Sequence, residues 1–309
     1  MCFSVMQVSY RKLFTDNNDI EYSVVKTQGT RCLCLQGNTK NQARVKKAFL
    51  SSKFFFEQAS ENIFKPLSIN TSAKDGLVTA LFENIDGGEL SKFLLVVPPA
   101  WQYAAGKKLG LLLRQLHSVP LNTKQKEKAS KRHEKFMEHL ASYIADLPHF
   151  KNDKYAMEAI SSRYDHFKIY RPVMRYGGLK HQKIMITKES SLLLLPSYTY
   201  GPGDMCEDFA SLECESAGLY PLFCAGVIDG YFASKVPSKF WLHFALYSAL
   251  YSLWKCALVA KQSPQMMVKM QLNSDRIRED FDDFKKPVPQ WYSDPKLQDI
   301  RTQALKLSI

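Results

Sequence analysis

The sequence predicts an α+β protein of one or two lobes, with strands early in the chain and helices later, on three observations. Short apolar runs bounded by turn residues occur at 22–26, 31–36 and 77–82. Longer segments with helical spacing follow at 102–119, 124–147 and 240–260. With 45% hydrophobic and 23% charged residues, the 309-residue chain can bury one large core or two modest ones, and a disordered protein is excluded.

Taken in order, residues 22–26 and 31–36 read as two strands joined around Gln28-Gly29, where Gly29 supplies the positive φ of a tight turn. Cys32 and Cys34, two apart, point to one face of their strand and read as buried thiols. A helix is predicted over 41–59. The apolar strand 77–82 runs into Glu83-Asn84-Ile85-Asp86-Gly87-Gly88, a turn-forming stretch. In 102–119 Leu109, Leu112, Leu113 and Leu116 recur at i, i+3, i+4 and i+7 and form one apolar stripe. Gly106 and Gly110 leave room beside it for a second helix. His117, at the end of that helix, is placed to bond free carbonyls. The segment 124–147 is a further helix, basic at first and amphipathic later.

Residues 170–213 organise the rest. Tyr176-Gly177-Gly178 breaks the apolar run 172–175, and the runs 184–186 and 192–195, linked by the polar 187–191, predict a β-hairpin. Gly201-Pro202-Gly203-Asp204 is a strong breaker, after which Asp204 can accept backbone N–H groups at the start of a helix carrying Phe209 and Leu212. The segment 240–260 is long and apolar, interrupted by His243 and Lys255, and reads as a buried helix rather than a membrane span.

The formal charge of +12 is unevenly spread. Residues 31–53 and 124–135 are basic runs, whereas 189–234 hold seven acids and no Lys or Arg. An acid-only stretch in a basic protein is a candidate cation-binding face. The basic run 124–135 has only Phe136 and Tyr143 near it and no nucleic-acid motif, so a nucleic-acid partner is not expected. Seven cysteines without a CxxC pair suit reduced thiols better than disulfides or a zinc site, and the N-terminus lacks the basic and apolar regions of a secretory signal. A cytoplasmic location is the expectation.

The segment 176–183, Tyr-Gly-Gly-Leu-Lys-His-Gln-Lys, with the hairpin ending Leu194-Leu195-Pro196 and the stretch Gly203-Asp204-Met205-Cys206-Glu207-Asp208-Phe209, resembles the catalytic segment of the aminoglycoside phosphotransferase family. These are small-molecule kinases whose pattern runs roughly His-Gly-Asp-Leu-x-x-x-Asn, a hairpin ending Ile-Asp, then Gly-Asp-Pro with acids and Phe. The ending of the first long helix, Leu-Arg-Gln-Leu-His-Ser-Val-Pro at 113–120, is similar to the family's first large-lobe helix. Stretches 224–232, 236–241 and 282–292 resemble one bacterial branch, so the likeness extends from about Leu77 to Tyr292.

The resemblance implies a bilobal protein-kinase-like fold, with a small β-rich N-lobe over 1–84 and a larger, mainly helical C-lobe over 85–309. It places Gly178 at the catalytic Asp, Lys183 at the metal-binding Asn and Pro196 at the metal-binding Asp. On the nucleotide side it puts Cys34 where a basic residue holds phosphates, Ala48 near the acid that positions it, and Phe82, Glu83 and Asn84 at the linker that meets adenine. Arg31 or Lys46 are the alternatives for the phosphates. His181 is a substitute base, and Asp204, Glu207, Asp208 and Asp229 are the acids that would meet a cationic ligand. ATP and magnesium are the implied cofactors if activity is retained.

Three readings follow. The first is a kinase-fold protein with little ATP-dependent transfer, binding a small cationic molecule or a protein partner. The second is a divergent phosphotransferase acting on a hydroxyl of an amino-sugar or other small molecule, and the third an interaction protein using its basic surface.

Overall fold

A computed structural model describes residues 10–16, 18–27, 29–58, 62–72, 76–83, 87–146, 150–164, 171–262 and 264–307. In chain order its elements are β1 (Tyr10–Thr15), β2 (Glu21–Thr27), β3 (Thr30–Asn38), α1 (Gln42–Gln58), β4 (Pro66–Ser72), β5 (Leu77–Glu83) and β6 (Gly87–Glu89). Then come α2 (Leu90–Val96), α3 (Pro99–Ser118), α4 (Thr123–Asp146), α5 (Asp153–Ser161), β7 (Pro172–Arg175), β8 (Ile184–Thr187), β9 (Leu192–Leu194) and β10 (Gly201–Asp204). The chain closes with α6 (Cys206–Leu212), α7 (Pro221–Phe232), α8 (Ser238–Gln262), α9 (Met267–Asp280), α10 (Gln290–Ser293) and α11 (Lys296–Leu305).

These pack as two compact units. One comprises Met1–Glu89 with Lys183–Tyr200, the other Leu90–Gln182 with Gly201–Ile309. The first break follows Glu89. The return of the hairpin to the first unit was not foreseen.

The first unit is an antiparallel sheet in the order β1-β2-β3-β5-β4. Gly29 takes φ +80° in the β2–β3 turn, as its position required. Apolar residues alternate along β3 and β5, so Leu33, Leu35, Val78, Ala80 and Phe82 face a common core with Val45 and Ala48 of α1. Cys32 and Cys34 are both buried. The expected hairpin is β8 paired with β9, Ile184 opposite Leu194, and β6 extends it to three strands.

The second unit is mainly helical. The α3 stripe is buried, and the close approach expected at Gly106 and Gly110 is made by α7, which presents Gly226 and Gly230. A Cβ on Gly106 would run into the Phe223 carbonyl, and one on Gly230 into that of Lys107, so glycines on both sides let the two backbones touch. The helix α8 buries Phe244, Leu246, Tyr247, Ala249, Leu250 and Leu253 around its circumference, as an interior helix does. No helix among the described residues is long and apolar enough to cross a membrane.

Two local expectations are corrected. Residues 201–204, read as a breaker, form β10 and pair with β7, Gly203 opposite Val173. The pairing partner lies about thirty residues away, beyond the reach of local propensity. His117 does not bond free carbonyls at its helix end. Its ring reaches across to Asp208 and Tyr231 instead.

Candidate functional site

Four residues of the second unit define the loop at 176–178. The Asp208 carboxylate, fully buried on α6, accepts the backbone N–H of Tyr176 at 2.8 Å through one oxygen and that of Gly177 at 2.8 Å through the other. His117 Nε2 lies 3.2 Å from the same carboxylate, and Nδ1 lies 3.1 Å from the Tyr231 hydroxyl. Burial would raise the Asp208 carboxyl, but the hydrogen bond and charge of His117, with Arg175 and the Gly177 N–H, hold it below its ordinary value. Gly177 and Gly178 take φ +80° and +65°, so the loop turns through the left-handed region where glycine is at ease.

Gly178, which the resemblance puts at the catalytic Asp, has no side chain. His181, the substitute base, is buried, with its Nδ1 3.0 Å from Ser216 Oγ and its backbone N–H donating to the same hydroxyl at 3.1 Å. Burial first, and then Lys180, lower its pKa to about 4, and its ring meets Tyr220 edge-on at 4.9 Å. It is therefore an imidazole anchored on Ser216 and Tyr220.

In the first unit the hairpin brings Lys183 and Pro196 together at its open end, where the Leu195 N–H donates to the Lys183 carbonyl at 3.0 Å. Lys183 is buried with Nζ 5.3 Å from the centre of the Tyr198 ring. Pro196 is also buried, and its carbonyl accepts the Tyr22 hydroxyl at 3.2 Å. An ammonium and a pyrrolidine ring offer no oxygen donor, so magnesium does not fit these two positions. No group of three or more His, Cys, Asp or Glu among the described residues is arranged to hold a metal ion.

On the nucleotide side, Cys34 sits in the middle of the sheet between Ser23 and Leu81, and burial pushes its thiol up to about 11. Ala48 is fully buried in the core. The ion pair the resemblance would place between strand and helix has neither member. Phe82 belongs to the core, and Glu83 is an exposed residue paired with Lys65 at 3.6 Å. Asn84 lies outside the described residues. Arg31 lines an open cavity of about 400 Å³ with Gly87, Gly88, Ile186, Thr187 and Lys188, while Lys46 is exposed on α1.

Comparison with solved structures gives the fold its name. The GDP complex of wild-type aminoglycoside 2'-phosphotransferase-IIIa matches with a TM-score of 0.68 at 12% identity, covering 89% of this chain and 94% of that one. The chain has the aminoglycoside phosphotransferase fold. A thermostable mutant of aminoglycoside phosphotransferase APH(4)-Ia, in a ternary complex with AMP-PNP and hygromycin B, matches at 0.64 with 10% identity over 87% of this chain and 93% of its own. A Plasmodium vivax ethanolamine kinase matches at 0.55 with 14% identity over 95% and 83%. No family model and no curated protein sequence matches the chain.

Within this phosphotransferase fold the four acids assigned to a cationic ligand are buried, and each accepts hydrogen bonds from within the chain. Asp204 Oδ1 accepts the Cys206 N–H at 2.7 Å, close to the expected role at the start of α6, and Glu207 Oε1 returns a bond to the Asp204 N–H at 3.1 Å. Glu207 also takes two bonds from Arg132 through Oε2, at 2.7 and 3.0 Å, and one from the Tyr251 hydroxyl at 3.2 Å. Arg175 Nε stands 3.3 Å from its other oxygen. Asp208 holds the loop. Asp229 receives Tyr103 at 2.7 Å, Tyr292 at 2.5 Å and Arg301 at 2.8 Å. The acid-only stretch is matched by bases brought from elsewhere in the chain. Sequence reading missed Arg132, Arg175 and Arg301 as its partners, because nothing local links residues 32 to 75 positions apart.

Proposed function

We propose that this chain is a small-molecule-kinase scaffold that has lost efficient metal-dependent transfer of a phosphoryl group from ATP. The observation that carries the reading is the trio Gly178, Lys183 and Pro196 at the positions of the catalytic Asp and the two metal ligands. Phosphoryl transfer relies on positioning, on oxygen-bound metal ions that neutralise phosphate charge, and on a carboxylate that takes the acceptor's proton. A positioned base typically gives a factor on the order of 10²–10⁴. Gly178 supplies none, and His181 is anchored to Ser216. Lys183 places a positive charge where a cation would have to sit.

What supports retention of the scaffold is the brace of Asp208 on Tyr176 and Gly177, which keeps the loop's shape without its reacting group. The test compares the natural chain with a variant carrying Gly178→Asp, Lys183→Asn and Pro196→Asp together. The natural chain is expected to show no magnesium-dependent thermal shift with ATP and no turnover. Turnover by the natural chain at ordinary kinase rates, on the order of 1–100 per second, would overturn the reading in favour of a divergent phosphotransferase.

A further inference from the structure

In the helical unit, α5, α8 and the turn after α9 enclose a cavity of about 180 Å³. Its walls are apolar: Ala159 on α5, Leu242, Ala245 and Leu246 on α8, and Phe284 and Pro287 from the turn. Two side chains with polar ends complete the lining, Arg163 and Lys285, and both are cationic. The volume is below the roughly 300–1,000 Å³ typical of pockets for drug-sized ligands, so an occupant would be small.

The turn that forms one wall is held in an unusual backbone. Asp282, Asp283 and Phe284 take φ values of 52°, 54° and 61°, three successive non-glycine residues in the left-handed region. For a bulky residue such as Phe284 that conformation is unfavourable and survives only where surrounding bonds impose it. Those bonds are present. The Asp283 N–H donates to the Arg278 carbonyl at 2.9 Å, Lys286 N–H to that of Phe281 at 3.1 Å, and Arg278 pairs with the Asp283 carboxylate at 2.5 Å. The consequence is a fixed position for the Phe284 ring, stacked on Phe281 at 5.8 Å and 14°, with Phe281 edge-on to Phe244 at 5.6 Å.

The cations are not equivalent. Lys285 bonds Asp283 at 3.3 Å, so much of its charge is already answered. Arg163, half-buried just beyond α5, has one side-chain hydrogen bond among the described residues, a long one of 3.5 Å to the Ala159 carbonyl, and no carboxylate partner among them. A guanidinium at the edge of an apolar cavity, with donors unclaimed among the described residues, matches the fork of a carboxylate whose remaining body is hydrocarbon.

We propose that this cavity binds a small amphiphilic carboxylate, with its apolar part between α5, α8 and Phe284 and its carboxylate on Arg163. The site is separate from the loop at 176–178, so it stands whether or not phosphoryl transfer survives.

The test is calorimetric titration of the full chain with sodium octanoate, with 1-octanol as the uncharged comparison, alongside hydrogen exchange. Saturable one-to-one binding of octanoate is expected, with 1-octanol weaker by about tenfold or more, since a charge-assisted bond is lost. Arg163→Gln, at a half-exposed position, should keep the thermal midpoint of the free protein and raise the octanoate Kd by about tenfold or more. Octanoate should also slow exchange at 159–163 and 281–287. Absence of saturable binding, equal affinity for octanoate and 1-octanol, an unchanged Kd in Arg163→Gln, or protection confined to other segments would each overturn the proposal.

Discussion

Asp208 and His117 meet in the interior of the helical unit, 3.2 Å apart, and the same carboxylate carries the N–H groups of Tyr176 and Gly177. One acid thus joins α3, α6 and the loop at 176–178. Its role is to fix the backbone, so the path of the loop does not depend on a side chain at Gly178.

Asp208→Ala should therefore cost stability heavily, roughly 3–5 kcal/mol, because two amides and a buried imidazole lose their acceptor together. Asp208→Asn should cost less. Urea unfolding of the three proteins checks the order. Because the folded Asp208 pKa is depressed, its contribution is present at neutral pH and is lost as pH falls through that lowered value.

Asp204 and Glu213 give the opposite pH dependence. Burial pushes both carboxyls up to about 7, with Glu207 adding to the rise at Asp204. Both bind protons more tightly folded than unfolded, so the stability they contribute is full below the ordinary carboxyl range and is lost as pH rises through about 7. Asp204 Oδ2 is buried without a hydrogen-bond partner among the described residues, so the neutral form suits the site. Asp204→Asn mimics that form and keeps the acceptor for Cys206. It should raise stability by a smaller margin at pH 5 than at pH 8, where the gain is at most about 4 kcal/mol. Urea midpoints at the two pH values provide the measurement. A variant less stable than the natural chain at pH 8 would contradict this account.

The glycine contact between α3 and α7 should tolerate no side chain. A Cβ on Gly226 would run into the Tyr103 carbonyl, which is backbone and cannot swing aside. Gly226→Ala is expected to destabilise by about 1–3 kcal/mol, as overpacking does, seen as a lower thermal midpoint. Gly88→Ala, where a Cβ meets nothing, serves as the control.

Placing a carboxylate at Gly178 has a backbone consequence distinct from any chemistry it would do. Gly178 has φ +65°, where aspartate is tolerated better than branched residues. Gly178→Asp should cost about 1 kcal/mol and Gly178→Val about 2 kcal/mol or more. Equilibrium unfolding of both variants separates strain from any gain in turnover.

The β2–β3 hairpin, the hairpin at 184–194, the α3 stripe and the buried α8 were legible because each is set by periodicity or by a turn residue within a short window. The strand at 201–204 was not, since its partner β7 lies far along the chain and its own Gly-Pro-Gly composition argues against a strand. The acids at 204–229 read as a ligand face for the same reason. Their neighbours in sequence include no bases, whereas their neighbours in space include Arg132, Arg175, Arg276 and Arg301.

The sequence by itself determined which residue types stand where the resemblance expects the reacting groups: the side chains of a glycine, a lysine and a proline carry no oxygen to offer a metal ion, whatever the fold. Only the tertiary structure decided where the remaining charges are used. Burial and pairing depend on contacts between distant segments, and these turned a row of apparently available carboxylates into internal braces, anchored His181 to Ser216, and left Arg163 beside an apolar cavity without a carboxylate partner among the described residues.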